Sequence, residues 1–297
     1  MLTHLHPTPR KPARVVVLGA GGFIAGAIHR RLVADEIATL ALGRPAMNLL
    51  NSDAAALLAN KLRPDDTLVF ASAKAPCKNL QMFVDNMIMV QAVCTALKKC
   101  VVAHVVYLSS DAVYKDSSQP ITESSCAEPS SLHGVMHLAR EVALRQEFAG
   151  PLALVRPTLV YGLEDPHDSY GPNRFRRLAA SGREIVLFGE GEELRDHVCV
   201  EDIAELVRLI IMYRSAGIAN AVSGKVVSFR DLAAFVAAEF VPPVAVKGSP
   251  RTGPMPHNGF RPFDNSAVLS AFSGFRFTPW REGLRKVHAQ FRAVHQR

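Results

Sequence analysis

The sequence predicts an α/β protein in which a doubly wound parallel sheet carries a smaller C-terminal lobe. Short apolar runs alternate with helical stretches along the first half of the chain, which is typical of a parallel sheet covered by helices on both faces. A glycine cluster directly follows the first apolar run, where a tight strand-to-helix turn is expected. Beyond Pro157 glycine and proline become frequent and the apolar runs shorten, so we expect the lobe to begin there.

The predicted strands are continuous apolar runs, as expected for strands that are buried on both faces of a sheet. The first run, Val15–Leu18, ends at the glycine cluster. The others occupy Ala38–Leu42, Thr67–Ala71, Val102–Leu108 and Leu152–Val155. Helical stretches separate these runs, so we expect right-handed crossovers between parallel strands.

The predicted helices carry small and apolar residues at helical spacing. Three lie among the strands, namely Phe23–Val33, Leu80–Lys98 and Leu132–Phe148. Three more follow in the second half, at about Asn173–Ser181, Val200–Arg214 and Phe229–Phe240. The proline-rich segments Val241–Val244 and Ser249–Pro256 are predicted to be loops.

The composition excludes several classes of protein. A hydrophobic share of 48% with 21% charged residues is that of a folded globular chain, not of a disordered, collagen-like or coiled-coil one. The formal charge of +7 favours anionic ligands, but the cations are scattered and do not indicate a nucleic-acid surface. Five cysteines without a CxxC pair favour reduced thiols, and no segment has the pattern of a signal peptide or a transmembrane helix. We therefore expect a cytoplasmic protein without a membrane segment.

The glycine cluster predicts a dinucleotide site. Gly19 and Gly21 allow a tight turn, and Gly22 leaves room for a pyrophosphate beside the backbone. The helix that begins at Phe23 and Ile24 would direct its free N–H groups at the phosphates. Strand, turn and helix in this order indicate a Rossmann-type fold.

The end of the second strand predicts which nicotinamide cofactor binds. An acidic residue there would hold the ribose of NAD, whereas an arginine accommodates the 2′-phosphate of NADP. The sequence Leu42-Gly43-Arg44 has no acid, so it favours NADP, with NAD still possible. We expect residues 13–165 to form the dinucleotide-binding domain. Residues 166–297 would form mainly the substrate-binding lobe, with some later segments returning to the first domain.

Two strings carry a resemblance to a known family. They are Tyr-Leu-Ser-Ser-Asp-Ala-Val-Tyr at residues 107–114 and the segment of residues 185–204, which contains Gly-Glu-Gly and Arg-Asp. Together with the glycine turn they resemble the extended short-chain dehydrogenase/reductases, in particular the NAD-dependent epimerases and dehydratases that act on nucleotide sugars. The resemblance covers about residues 14–283.

The resemblance implies that Ser110 hydrogen-bonds the reacting hydroxyl or carbonyl of the sugar. A serine hydroxyl both donates and accepts, so it can follow an oxygen that changes between alcohol and ketone. Asp111 is then expected on the substrate side. The dehydratase subgroup carries an Asp-Glu pair here, and because Ala112 follows Asp111, a dehydratase is disfavoured.

His133 and His137 stand where the family has the tyrosine and the lysine of its Tyr-x-x-x-Lys pair. His133 follows Ser110 by 23 residues. Both rings share one helix face. We prefer the interpretation in which His133 is the general acid and base and His137 holds the cofactor ribose. If Lys74 or Tyr114 points inward, either could share the proton transfer.

Two other interpretations of the pair stay open. A metal site is disfavoured, because His-x-x-x-His has neither the zincin glutamate nor a third ligand in the sequence, and we predict no metal. Loss of catalysis in a binding protein is the other.

The resemblance also implies further cofactor contacts. Ala71 and Lys74 belong to a segment that lines the cofactor after its strand, and Lys74 would reach the phosphates or the ribose. Pro157 falls in the proline region that flanks the nicotinamide. Asn86 falls where the family keeps a structural helix asparagine.

On the substrate side, the resemblance implies that Asn173 binds the diphosphate at a helix start and that Arg195 contacts the ribose or phosphates. Arg261 resembles a second phosphate-binding arginine. A guanidinium suits these roles because its fork matches pairs of phosphate oxygens. A helix cap at Asn173 and surface salt bridges at the arginines are the alternatives.

We therefore expect an NAD(P)-dependent oxidoreductase or epimerase acting on a nucleoside diphosphate sugar, either by reducing a keto-sugar or through a transient ketone. The alternative is a non-catalytic dinucleotide or sugar-nucleotide binding protein, such as a sensor or partner subunit. By the same resemblance the helices at 80–98 and 132–148 would pair two copies into a homodimer. No nucleic-acid partner is expected.

Overall fold

A computed structural model describes residues 2–166 and 168–295, and a seven-stranded sheet lies at its centre. The strands in chain order are β1 (Thr3–His4), β2 (Arg14–Leu18), β3 (Thr39–Leu42), β4 (Asp66–Phe70), β5 (His104–Leu108), β6 (Leu152–Pro157), β7 (Leu159–Tyr161), β8 (Ile185–Phe188), β9 (Leu194–Cys199), β10 (Ser215–Ala221), β11 (Val226–Ser228), β12 (Val246–Ser249) and β13 (Phe260–Arg261).

The helices cover this sheet and build the lobe. They are α1 (Phe23–Ala34), α2 (Ala54–Lys61), α3 (Leu80–Lys99), α4 (Leu132–Glu147), α5 (Pro172–Ala180), α6 (Val200–Met212), α7 (Phe229–Ala238), α8 (Ser266–Ala271) and α9 (Trp280–His295).

The order across the sheet is β1-β10-β6-β5-β4-β2-β3, and every pair is parallel except β1 with β10. Helices α1 and α6 pack on one face, and α2, α3 and α4 pack on the other, so the predicted doubly wound sheet is confirmed. The direction of winding reverses between β2 and β4. Open α/β sheets bind ligands outside the carboxyl ends of strands at such a point.

Side-chain caps determine where the two longest sheet-covering helices begin. The Asn79 side chain accepts from the N–H of Met82 at 2.9 Å, and the Ser131 side chain accepts from the N–H of Gly134 at 3.1 Å. Each satisfies one of the unpaired N–H groups of a first turn. Helices α3 and α4 accordingly start at the predicted residues, whereas helix α2 was not predicted.

The second half of the chain contributes to both parts of the fold. Helix α6 and strand β10 return to the main sheet, where β10 pairs with β6. Strands β7, β9, β11 and β13 form a small sheet, and β8 pairs with β12. Helices α5 and α7 pack beside these strands, and aromatic and aliphatic side chains fill the space between them.

Helix α3 has the length and the mean hydropathy, 1.4, of a membrane-crossing helix. Half of that stretch is buried inside the fold, where it packs against α2 and α4. A buried core helix passes the same length and hydropathy test.

Candidate active site

A cleft of about 580 Å³ opens at the carboxyl ends of β2, β4, β5 and β6, between the sheet and the lobe. Its volume is in the range of small-molecule and cofactor sites. The predicted residues that line it are Gly22, Phe23, Ile24, Ala71, Ser110, Asp111, His133, His137, Pro157, Asn173 and Arg195. These residues come from separate segments of the chain, and the fold brings them together.

The end of the glycine turn, at Gly22, lines one end of the cleft, whereas Gly19 and Gly21 do not line it. Gly19 has φ +97°, and a Cβ built on it would lie 2.8 Å from the backbone N of Ser72, so only glycine fits there without strain. No side chain caps the start of helix α1 at Gly22. The first N–H groups of the helix are therefore available to an anion such as a pyrophosphate.

Arg44 lies just outside this turn. A Cβ built on Gly43 would be 3.7 Å from the backbone N of Gly21, so the chain after β3 runs against the turn. Arg44 is exposed, and within the described residues it makes no hydrogen bond or ion pair. Its guanidinium is therefore free to bind a phosphate, such as the 2′-phosphate of NADP, without breaking a contact within the described residues.

Lys74 is held away from the cleft. Its ammonium forms an ion pair with Asp85. Its backbone N–H donates to Asn86 Oδ1 at 3.1 Å, and its backbone carbonyl accepts from Asn86 Nδ2 at 3.0 Å. Ala73 and Ala75 line the cleft, but Lys74 does not. The structure therefore gives Lys74 a local partner in place of the expected cofactor contact.

Ser110 caps a 3₁₀ turn at the end of β5. Its Oγ accepts from the N–H of Ala112 at 3.2 Å and lies 3.4 Å from Asp111 Oδ1. The turn packs against the start of α4 at Gly134, where a Cβ would stand 2.0 Å from the carbonyl oxygen of Ala112. This close approach brings Ser110 and His133 to the same wall of the cleft.

The two histidines form an edge-to-face pair on α4. Their ring centroids are 4.7 Å apart with the planes at 87°. Tyr107 on β5 lies behind His137, with its Oη 2.8 Å from His137 Nδ1. Both imidazoles line the cleft, as the helix spacing predicts.

The backbone N–H of Cys77 donates to His133 Nδ1 at 3.3 Å. A backbone N–H can only donate, so Nδ1 accepts and the neutral ring carries its proton on Nε2. Protonating Nδ1 would place two donors against each other. The Nε2–H of His133 is therefore the group that this ring offers to a ligand.

Burial disfavours the charged form of both rings. It lowers the pKa of His133, against an opposing effect of the Asp111 carboxylate. For His137, burial first, then repulsion from His133 when that ring is protonated, and then the positive charge of Arg140 hold the pKa well below its usual range. Both imidazoles are neutral at pH 7.

Tyr107 and the Cys77 amide are site groups that the sequence did not predict. Every residue of β5 is buried, so periodicity could not show which side chain reaches α4. Tyr114, by contrast, points away from the cleft, since its hydroxyl donates to Asn220 Oδ1 at 2.7 Å. Neither Tyr114 nor Lys74 is placed to share proton transfer.

On the substrate side, the amide of Asn173 is used within the protein. Its Oδ1 accepts from the N–H of Gly162 at 3.1 Å, and its Nδ2 donates to Asp165 at 2.9 Å. Asn173 thus fixes the loop before α5 against β7, and no side chain caps the helix at Gly171. The start of α5 also faces the cleft.

Arg195 and His197 extend from alternate positions of β9 to line the cleft. Arg195 Nη1 donates to Glu193 Oε1 at 3.1 Å, and its buried Nε has no partner within the described residues. Burial lowers the pKa of His197 to about 3, so it is neutral. His197 is a titratable lining residue that the sequence did not predict.

Arg261 does not line the cleft. Its guanidinium is 1% exposed and bonds to the Asp111 carboxylate at 3.2 Å, the Asp111 carbonyl at 2.8 Å, and Asp116. These acids come from a different part of the chain, which is why the sequence could not pair them with Arg261. Arg261 orders the segment after Ser110, and the structure does not bring it to the place expected for a substrate phosphate.

Comparison with known proteins gives a family match and shared folds. The profile of the NAD dependent epimerase/dehydratase family matches residues 15–222. A rice (Oryza sativa subsp. japonica) protein named as a GDP-L-fucose synthase is 29% identical over 252 residues, which span 75% of this chain and 72% of that protein.

Two solved structures have the same fold. UDP-glucose 4-epimerase from Thermus thermophilus, in complex with NAD, has a TM-score of 0.82 at 21% identity, covering 95% of this chain and 99% of that one. A GDP-L-fucose synthetase from Naegleria fowleri, bound to NADP, has a TM-score of 0.81 at 18% identity, covering 99% and 98%. At these identities the likeness concerns the fold.

Proposed function

The chain belongs to the NAD-dependent epimerase/dehydratase family, and from that premise we propose that it is an NAD(P)-dependent enzyme that changes the oxidation state of one carbon of a nucleoside diphosphate sugar. One observation carries the proposal. The uncapped glycine turn of α1 and the side chains of Ser110, His133 and His137 line a single cleft.

In the proposed reaction, bound nicotinamide supplies or accepts the hydride at the sugar carbon. His133 would hydrogen-bond the sugar oxygen through the Nε2–H of its neutral ring, and the Ser110 hydroxyl would orient the same oxygen. The proton that this oxygen takes up after hydride addition would come from water, because a neutral imidazole is a hydrogen-bond donor here and not a general acid. Donors aimed at an oxygen that gains negative charge stabilise the transition state of hydride addition. The neutral tautomer of His133 thus favours reduction of a keto-sugar, and epimerisation through a transient ketone is the close second.

We propose NADP as the cofactor, with NAD the alternative. Arg44 is exposed beside the glycine turn and has no partner among the described residues, and no acid stands there to hold an unphosphorylated ribose. The 2′-phosphate of NADP would give the guanidinium a charge-assisted, bidentate contact.

For the substrate diphosphate we propose Arg195 and the start of α5, and no longer Arg261. Arg195 is the arginine that lines the cleft, and its Nε is unpaired within the described residues. An uncapped helix start supplies further N–H donors for phosphate oxygens.

We also propose a cytoplasmic homodimer. The outer faces of α3 and α4 expose five large apolar side chains, namely Leu80, Val84, Ile88, Val135 and Val142. A contiguous apolar patch of this kind marks an interaction surface. The five cysteines are all free thiols, which suits a reducing compartment.

A non-catalytic binding protein is the second candidate, because the family's tyrosine and lysine are both replaced. Calorimetry with NADPH and NADH, followed by turnover assays on UDP-, GDP-, dTDP- and CDP-linked keto-sugars, separates the two. We expect cofactor binding and turnover of one substrate, with turnover lost in His133→Ala. Cofactor binding without turnover of any sugar nucleotide would favour the binding protein.

A further inference from the structure

Tyr107 has a single hydrogen-bond partner among the described residues. Its hydroxyl is completely buried and meets only His137 Nδ1, at 2.8 Å. A buried hydroxyl without a partner is unfavourable, so this bond determines the orientation of both groups. The bond leaves Nε2 as the free nitrogen of His137.

Arg140 lies one helical turn after His137 and is also completely buried. Its guanidinium lies 4.3 Å from the Phe70 ring centroid and 5.1 Å from that of Tyr107. It donates to the Ser72 carbonyl at 2.7 Å and to Asn86 Oδ1 at 3.3 Å. Within the described residues it has no carboxylate partner, and its Nε has no acceptor.

A second buried arginine of the same helix–sheet region has a different arrangement. Arg156 also lies over a buried tyrosine, 4.7 Å from the ring centroid of Tyr114, but Glu141 neutralises it through Nε at 2.8 Å. The charge of Arg140 is uncompensated, which is costly in a protein interior. Its positive charge acts on His137, which lies one turn earlier on the same helix.

We propose that Tyr107 and Arg140 are positioning residues that act through His137: Tyr107 fixes the direction of the imidazole, and the buried charge of Arg140 adds to burial in disfavouring a second proton on the ring. This rests on the proposed function. Arg140 also bonds to the Ser72 carbonyl, and the Ser72 N lies against Gly19, so the same side chain braces the cofactor turn.

The groups whose charge can act on His137 come from each element around it. They are His133 and Arg140 on α4, Tyr107 on β5, Asp111 in the turn after β5, and the Lys74–Asp85 pair beside α3. Only Arg140 among these is a buried permanent cation.

The test uses protein labelled with ¹⁵N-histidine, with NADPH bound, and follows the His137 ring nitrogens together with kcat. Tyr107→Phe should mix the His137 tautomers and lower kcat about tenfold, the loss of one ordinary hydrogen bond. Because His137 is expected to hold the cofactor ribose, the affinity of this variant for NADPH should also weaken, by no more than about the same factor of ten. Tyr114→Phe, the matched buried tyrosine outside the cleft, should leave spectrum and kcat unchanged.

In Arg140→Met, the pH at which His137 becomes protonated should rise towards that of an ordinary histidine. In Arg140→Lys, which keeps the positive charge, it should return towards the wild-type value. An unchanged tautomer and kcat in Tyr107→Phe would overturn the proposal. If the variants do not fold, a wild-type His137 that titrates like an exposed histidine overturns it. Absence of cofactor binding in the wild type would instead overturn the proposed function, and the His137 spectrum of the free protein would still test the positioning roles.

Discussion

The cleft is lined mainly by backbone groups at its cofactor end and by polar side chains elsewhere. The cofactor end is backbone: a glycine turn, an uncapped helix start and small residues such as Ala71. Elsewhere the cleft is lined by side chains, among them the imidazoles of His133 and His137 and the guanidinium of Arg195. The first keeps the family pattern, whereas the second departs from it at both signature positions.

This difference separates binding from chemistry. Backbone N–H groups hold a phosphate whatever the neighbouring side chains are, so the cofactor end tolerates sequence change except at glycines. In the proposed reaction, the chemistry would depend on the tautomer and the protonation state of His133 and His137, whose hydrogen-bond partners are Cys77 and Tyr107. Variants on the two sides should therefore fail in different ways.

The largest effect is expected from His133→Ala. Loss of the donor to the reacting oxygen should lower kcat about 10²–10³-fold, as for one oxyanion donor, with little change in cofactor Kd. Steady-state kinetics and calorimetry with NADPH measure the two quantities. His29→Ala, at a histidine of α1 outside the cleft, is the matched control. If His133→Ala lost kcat and cofactor affinity to the same extent, the separation of cofactor binding from chemistry would be wrong.

The reverse pattern is expected from Gly19→Ala. A positive φ and a Cβ only 2.8 Å from the Ser72 nitrogen introduce strain at the turn, of about 1–3 kcal/mol. Cofactor affinity should fall more than about tenfold, while the histidine pair keeps its geometry. Gly274→Ala, where an added Cβ meets nothing within 4 Å, is the control. Calorimetry with NADPH would contradict the account if Gly19→Ala bound like Gly274→Ala.

A smaller effect is expected from Arg44→Ser. Loss of a charge-assisted contact to the 2′-phosphate should weaken NADPH binding about tenfold and leave NADH binding unchanged. The exposed Arg183 offers a control, Arg183→Ser, in the lobe. If Arg44→Ser weakens both cofactors equally, the assignment of NADP is wrong.

The smallest expected effect is the contribution of His197 to the pH dependence of the free energy of unfolding. The folded pKa of His197, about 3, lies below the ordinary histidine value of about 6.5, so the unfolded chain binds more protons between them. This contribution is fully present above pH 6.5 and is lost as the pH falls, by about 1 kcal/mol at pH 5.5.

The buried His104, with a pKa of about 4, acts in the same direction. Asp196, with its pKa raised by burial to about 6, acts in the opposite one. His104 and Asp196 are present in both the wild type and His197→Phe, so their effects cancel when the two proteins are compared. Urea unfolding at pH 7.5 and 5.5 measures the free energy of unfolding of each. The variant should lose about 1 kcal/mol less than the wild type on acidification. Equal losses would show that His197 is not buried in its neutral form.

Local signals predicted much of the fold and the cofactor end. Helices α3 and α4 begin at the predicted residues because Asn79 and Ser131 cap them. The strand, glycine turn and helix at residues 15–34 form one continuous local pattern.

Contacts between distant residues were not predictable in this way. Lys74 pairs with Asp85, and Arg261 with Asp111 and Asp116, so two expected ligand contacts are made within the protein instead. Tyr107 belongs to a strand buried on both faces, and no pattern in such a strand shows which residue reaches a histidine 30 positions later. The identities of the two histidines predicted the departure from the family, and their partners required the structure.

Hydride transfer itself is the most direct test. The wild-type protein is incubated with NADPH deuterated at the transferred position of C4 and with each keto-sugar nucleotide, and the products are analysed by mass spectrometry and NMR. Reduction by this cleft predicts deuterium at one sugar carbon, and none in the His133→Ala reaction over the same time. Tight NADPH binding without deuterium in any sugar nucleotide would contradict an enzyme that works through His133.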